Sequence, residues 1–127
     1  MLRPKALDHV GLVVSDMDRT LRFYSQLGLE VLRRRERGAG VTSAVLRVGI
    51  QEINLFSQTG RVVYASIGVQ AVDHFCLEMD CGSIDELVAE LGRAGIAIAQ
   101  GPVERSDGMA LFVLDPDGVR VELSVKK

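Results

Sequence analysis

The chain has 127 residues, of which 47% are hydrophobic and 25% charged, and these values fit one soluble globular domain. A net charge of −2 gives no field that would attract nucleic acid, and no stretch approaches the roughly 20 apolar residues of a membrane span. The amino terminus lacks a secretory signal pattern, and Cys76 and Cys81 form no disulfide framework, so we expect a cytoplasmic protein without nucleic-acid or membrane partners.

The first predicted element is a strand that contains the phrase LDHVGLVV, in which apolar residues alternate from Leu7 onward. Ser15, with Asp18 three residues later, has the spacing of a helix capping box, and Gly28 is suited to end that helix. Three strands are predicted next, over residues 29–34, 41–48 and 51–56. The basic cluster near the first of them is interpreted as a solvated strand end or turn and consists of Arg33, Arg34, Arg35 and Arg37.

A second copy of this pattern follows a linker predicted over residues 58–71. VDHFCLEM repeats the opening of an apolar residue followed by Asp-His, and Ser83 with Glu86 again has the capping-box spacing. We expect the second helix to end at Gly92 or Gly95. Strands are predicted over residues 96–100, 109–114 and 119–125, with a tight turn at the Asp-Pro-Asp-Gly sequence before the last one. The chain is therefore predicted to be a single α+β domain of two βαβββ modules, about residues 6–57 and 72–125.

Alternation along the strands predicts which side chains face away from the core. This face holds His9 in the first strand, His74 and Glu122 in the second module, and Glu52 and Asn54 in the first. Imidazole and carboxylate groups are ligands for Zn²⁺, Fe²⁺, Mn²⁺, Co²⁺ or Ni²⁺, and three of them leave positions open for substrate. The sequence thus predicts a divalent-metal site at His9, His74 and Glu122. In the alternative interpretation, each histidine only forms a hydrogen bond with the Asp beside it.

Three stretches resemble the vicinal oxygen chelate superfamily, which contains glyoxalases, bleomycin-resistance proteins and extradiol dioxygenases. They are LDHVGLVVSDMDRTLRFYSQLGLEV, VDHFCLEM and FVLDPDGVRVELSV, and they extend the similarity over residues 7–125. The resemblance implies paired βαβββ modules that form a curved mixed sheet around a cavity, usually in a homodimer. It also implies that His9, His74 and Glu122 hold a divalent metal that binds a small-molecule substrate through two vicinal oxygens.

The fourth position of the family's site differs in this chain. Isomerases of the glyoxalase I type have a glutamate before a leucine in the last strand of the first module, where this chain has Asn54-Leu55. An amide has no useful basicity, so Glu52, on the same face, becomes the candidate for proton transfer. Lyase, isomerase and ring-cleavage dioxygenase chemistry all stay open. The alternative from another class is a metal-free protein that sequesters a small molecule, similar to the bleomycin-resistance proteins.

Further residues are predicted to line a substrate pocket, and they are Asn54, Phe56, Cys76, Arg105 and Phe112. For Cys76 the alternative role is that of a small buried apolar residue. Arg105 belongs to a polar loop predicted over residues 101–108, which would cover the cavity mouth and meet an anionic substrate. No anion-binding array of the kind that thiol transfer to fosfomycin would need is visible in the sequence.

Overall fold

A computed structural model of the chain describes residues 1–59 and 72–127. These residues form two compact units, one before and one after residues 60–71. The first unit contains β1 (His9–Val13), α1 (Met17–Gln26), β2 (Glu30–Glu36), β3 (Val41–Val48) and β4 (Gln51–Gln58). The second contains β5 (His74–Glu78), α2 (Ile84–Ala94), β6 (Gln100–Arg105), β7 (Gly108–Leu114) and β8 (Arg120–Lys126). Both have the predicted βαβββ order, whereas the predicted linker over residues 58–71 lies almost entirely outside the described residues.

Each unit is a four-stranded mixed sheet with one helix. The strand order is β1-β4-β3-β2 in the first sheet and β5-β8-β7-β6 in the second. The opening strand of each unit pairs in parallel with the last strand, and all other neighbours are antiparallel. The sequence repeat is therefore also a repeat of topology.

One face of each sheet carries a buried apolar core. In the first unit Leu46, Leu55 and the helix residue Tyr24 are fully buried, and in the second Val121 and Leu123 are equally inaccessible. Burial alternates along β1 and β4, which confirms the predicted core-facing rows. Each such leucine contributes about 1.5–3 kcal/mol by leaving water, so the core fixes which side chains remain on the opposite face.

The helix ends agree with the prediction in one case and differ in another. In α2, the Ser83 hydroxyl accepts a hydrogen bond from the Glu86 N–H at 3.2 Å, and Gly95 ends the helix in the left-handed conformation. In α1, the N-cap is Asp16 rather than the predicted Ser15, and its carboxylate accepts from the Arg19 N–H at 3.0 Å. A carboxylate at this position also interacts favourably with the positive end of the helix dipole.

The strand predicted over residues 96–100 and the loop predicted over residues 101–108 are both wrong. Residues 100–105 form β6, which pairs with β7 at the end of the sheet. Its polar side chains and Pro102 are more typical of a loop than of a strand. An edge strand tolerates both, because only one side of its backbone is paired. Gly108 then starts β7 at a point where an added Cβ would lie 2.0 Å from the carbonyl oxygen of Val125, so a side chain has no room there.

The turn before β8 forms as predicted. The Asp115 carboxylate is buried and accepts hydrogen bonds from the N–H groups of Asp117 and Val119, both at 2.9 Å. Gly118 has the positive φ that the turn requires. Among the described helices, none has the length and apolar character needed to cross a membrane.

Candidate metal centre

The second unit brings two of the predicted metal ligands together. In the parallel pair of β5 and β8, His74 is in register with Arg120 and Cys76 with Glu122. These side chains lie on the face opposite the buried row that includes Val121. The Nε2 atom of His74 lies 3.1 Å from Oε2 of Glu122, so the imidazole and the carboxylate are in direct contact across the two strands.

The tautomer of His74 is fixed by its neighbour. Nδ1 lies 2.7 Å from Oδ2 of Asp73, and an ionised carboxylate can only accept, so Nδ1 carries the proton and the lone pair of the neutral ring is on Nε2. The hydrogen bond from His74 and the charge of Arg120 hold the pKa of Asp73 below its ordinary value. A neutral ring with its proton on Nδ1 would have the lone pair of Nε2 facing the carboxylate of Glu122, and a cation bound by both groups would relieve that contact.

The contact between His74 and Glu122 has the spacing of two ligands on one ion. Ligand atoms about 2.1 Å from a common ion, at tetrahedral to octahedral angles, lie about 3.0–3.4 Å apart. The observed 3.1 Å falls in that range, and the Glu122 side chain is only 13% exposed. The residues thus fit a divalent metal, although no group of three or more His, Cys, Asp or Glu side chains is gathered for one among residues 1–59 and 72–127.

Two predicted pocket residues lie beside this pair. Nη2 of Arg105 is 3.3 Å from Oε1 of Glu122. Arg105, predicted to meet an anionic substrate, therefore forms an ion pair with a carboxylate of the protein itself. The buried ring of Phe112 meets the His74 ring edge-on, with centroids 5.4 Å apart, and the Arg120 guanidinium lies 4.4 Å from the Phe112 centroid. Phe112 therefore supports both the imidazole and the guanidinium.

Arg120 is the member of this cluster that sequence reasoning missed. Its Nη1 donates to Oδ2 of Asp73 at 2.6 Å, so it acts on His74 through that carboxylate. The alternation of side chains along a strand could have identified it, because Arg120 precedes Glu122 by two residues and therefore lies on the same face of the sheet.

Cys76 lies on the same face, in register with Glu122. The residue is exposed, so the interpretation as a small buried side chain is wrong. Partial desolvation and the neighbouring carboxylate of Glu122 raise the pKa of the thiol. A thiol of this kind is mostly protonated at neutral pH and therefore weakly nucleophilic.

The first unit repeats the Asp–His contact but has different residues at the positions of Arg120 and Glu122. Nδ1 of His9 lies 2.8 Å from Oδ2 of Asp8, which is the same Asp–His contact. His9 is in register with Glu52, and Gly11 with Asn54. Since Glu122 is in register with the residue two places after the second histidine, Asn54 is its equivalent in the first module. Glu52 is therefore the equivalent of Arg120.

The fold and this site define a member of the Glyoxalase/Bleomycin resistance protein/Dioxygenase superfamily. The model of that family matches residues 6–123, and the chain belongs to it. The virulence protein STM3117 of Salmonella typhimurium is 33% identical over 124 residues, which cover 93% of this chain and 82% of that protein. A probable chloroplastic lactoylglutathione lyase of Arabidopsis thaliana is 32% identical over 124 residues. The matched segment covers 91% of this chain but only 34% of the plant protein. The solved structure of a glyoxalase family protein from Enterococcus faecalis has a TM-score of 0.76 at 28% identity, covering 94% of this chain and 97% of that one.

Proposed function

We propose that this chain is a divalent-metal-dependent enzyme that acts on a small molecule with two vicinal oxygen atoms. The observation that carries the proposal is the 3.1 Å contact between His74 Nε2 and Glu122 Oε2, with the other ring nitrogen engaged by Asp73. His9, which repeats the Asp–His contact in the first module, is the proposed third ligand. A transition metal such as Zn²⁺, Ni²⁺, Fe²⁺, Mn²⁺ or Co²⁺ at these residues would stabilise negative charge that develops on the substrate oxygens.

The other residues of the site have separate roles in this proposal. Asp8 and Asp73 hold the histidine rings in one tautomer and one orientation, as carboxylates beside metal-binding histidines commonly do. Phe112 packs against the His74 ring and shields it from water on that side. Arg105 balances the charge of Glu122.

Glu52 is the proposed proton-transfer group. It is in register with His9 and on the same sheet face, whereas the amide of Asn54 replaces the carboxylate at the position equivalent to Glu122. A carboxylate base favours lyase or isomerase chemistry over ring-cleavage dioxygenation. The name of the Arabidopsis relative, lactoylglutathione lyase, supports the same choice. In Glu52→Gln we expect turnover to fall while the metal content stays unchanged.

Metal analysis of the purified protein tests the metal site directly. We expect one transition-metal ion per chain, and we expect His74→Ala and Glu122→Gln to lose it. Glu104→Gln is the matched control, because it neutralises an exposed carboxylate of the same unit. Metal that is absent from the wild type, or retained equally in all variants, contradicts the proposal.

A substrate screen then separates the reaction classes. The compounds are 2-oxoaldehyde adducts of glutathione, catechols and acyl-CoA esters, each tested before and after removal of the metal. A metal-free protein that binds planar drugs without turning them over would instead be the sequestering protein of the alternative interpretation. We also propose a cytoplasmic homodimer, which sedimentation and cell fractionation test.

A further inference from the structure

The first unit contains a cavity whose lining includes two of the predicted pocket residues, Asn54 and Phe56. It has a volume of about 280 Å³ and lies on the face of the sheet that carries Asn54. Three arginines of the basic cluster line it, Arg33, Arg35 and Arg37. Polar and aromatic side chains complete the lining, among them Ser43, Asn54 and Phe56. Positive charge therefore dominates this cavity.

Strand geometry explains why these three arginines share one side. They alternate along β2 and its extension, and Arg33 and Arg35 are in register with Val45 and Ser43 of β3. Those residues are in turn in register with Asn54 and Phe56 of β4, so one row of the sheet runs through all three strands. Arg34 points to the opposite face, where it pairs with Asp18 of α1. The arginines are exposed, as the interpretation of a solvated strand end predicts, and three of them also line the cavity.

The charge in the cavity is not neutralised by the described residues. Arg33 and Arg35 form no ion pair with any residue in the described ranges, and the cavity lining includes no carboxylate. Residues two apart on a strand are about 7 Å from each other, so these guanidinium groups repel one another. All three side chains are exposed, so solvent weakens this repulsion, and their guanidinium groups are accessible to an anion.

Two polar groups in the same cavity have unused hydrogen-bonding capacity. The Nε of Arg37 donates to the Ser43 hydroxyl oxygen at 2.7 Å, which leaves the hydroxyl proton of this buried serine free to donate. The side-chain oxygen of Asn54 is buried and accepts no hydrogen bond from the described residues. A buried acceptor without a donor is costly, so it favours a ligand or water with an O–H or N–H group there. Phe56, 40% exposed, adds an apolar surface beside them.

We infer that this cavity binds an oxyanion group, a phosphate, phosphonate or carboxylate, of a small ligand. The guanidinium forks of Arg33 and Arg35 supply charge-assisted hydrogen bonds to the oxygens, and Ser43 adds a neutral donor. Asn54 accepts from a hydroxyl or amine next to the anion, and Phe56 covers the apolar part. This inference goes beyond the proposed metal chemistry and does not depend on it.

Titration of the metal-free, chelator-treated protein with inorganic phosphate and with acetate tests the inference without any turnover. We expect saturable binding at millimolar concentration, followed by calorimetry and by amide NMR shifts confined to β2, β3 and β4. Arg35→Gln is expected to weaken binding by about tenfold or more, since it removes a charged donor pair. Binding that weakens as salt rises is a further expected result.

Arg34→Gln is the matched control, because it removes the same charge from the same strand on the opposite face. We expect it to bind phosphate or acetate like the wild type. Equal losses in both variants, or saturation by neither anion, would overturn the inference. Binding of phosphate but not of acetate would assign the cavity to tetrahedral anions. Binding of acetate but not of phosphate would assign it to carboxylates. NMR shifts of the wild type that fall outside β2–β4 would also overturn it, even if a variant fails to fold.

Discussion

The carboxylate of Asp73 is shared by two donors, Nη1 of Arg120 at 2.6 Å and Nδ1 of His74 at 2.7 Å. Arg120 is itself held over the ring of Phe112, which also contacts the imidazole. This chain of contacts fixes the imidazole so that Nε2 faces Glu122. The position of this proposed metal ligand therefore depends on Asp73, Arg120 and Phe112, which are not themselves proposed ligands.

Asp73→Asn tests this positioning role. The amide can still form a hydrogen bond with His74, but it no longer fixes the proton on Nδ1, so we expect metal affinity to fall by about 10–100-fold. Competition with a chromophoric chelator measures the change. Asp107→Asn, which removes another exposed carboxylate of the same unit, is expected to bind metal normally. Equal affinity of wild type and Asp73→Asn would rule the role out.

Arg105→Gln is expected to tighten metal binding. Its guanidinium lies 3.3 Å from Glu122, so it competes with a cation for that carboxylate. Because the arginine is nearly half exposed, solvent screens its charge and the gain is about two- to fivefold. The same chelator competition measures it, and Arg93→Gln on α2 is the control. Weaker binding in Arg105→Gln would contradict the expectation.

Leu123→Ala tests the core of the second unit. The side chain is fully buried, so its truncation leaves a cavity and is expected to lower the free energy of unfolding by about 2–5 kcal/mol. Leu114→Ala, at a position that is 48% exposed, is expected to cost less than about 1 kcal/mol. Urea denaturation followed by circular dichroism compares the two. Similar midpoints for both variants would place Leu123 outside the core.

The ion pair between Asp18 and Arg34 predicts a small dependence of stability on pH. The hydrogen bond and charge of Arg34 lower the pKa of Asp18 in the folded protein. A carboxyl with a depressed folded pKa stabilises the fold above its unfolded pKa and loses that contribution as the pH falls through the folded value. The difference in Tm between wild type and Asp18→Asn is therefore expected in full at pH 6, to shrink below about pH 4, and to vanish only when the pH is below the depressed pKa of Asp18 in the folded protein. A difference that persists in acid would assign it to packing instead.

Much of the fold follows from local sequence signals. The repeated Asp-His opening, the Ser83 cap and the turn at Asp115 are short-range features, and each forms as predicted. A sixth strand was predicted, but over residues 96–100 rather than Gln100–Arg105, because the residues of β6 are polar and include Pro102, which local propensity assigns to a loop. Its strand character comes from pairing with β7, a tertiary contact that single-sequence patterns do not encode.

The candidate site was predictable to the extent that it depends on alternation. Period-two patterning placed His74 and Glu122 on one face, and the structure shows them in contact. Patterning did not reveal that Arg33 and Arg35 line a cavity, because this requires the register of β2 against β3. Charge alone cannot distinguish such a wall from an ordinary solvated edge.

The arginines of β2 have a second effect. β2 is the terminal strand of its sheet, so the outer side of its backbone has no paired strand among the described residues. A row of positive side chains on such a strand repels the same strand of another molecule and so protects the protein from strand-to-strand aggregation. Charge-neutral variants of Arg33 and Arg35 are thus expected to precipitate more readily than the wild type at high protein concentration and low ionic strength, and added salt should reduce the difference by screening the charges.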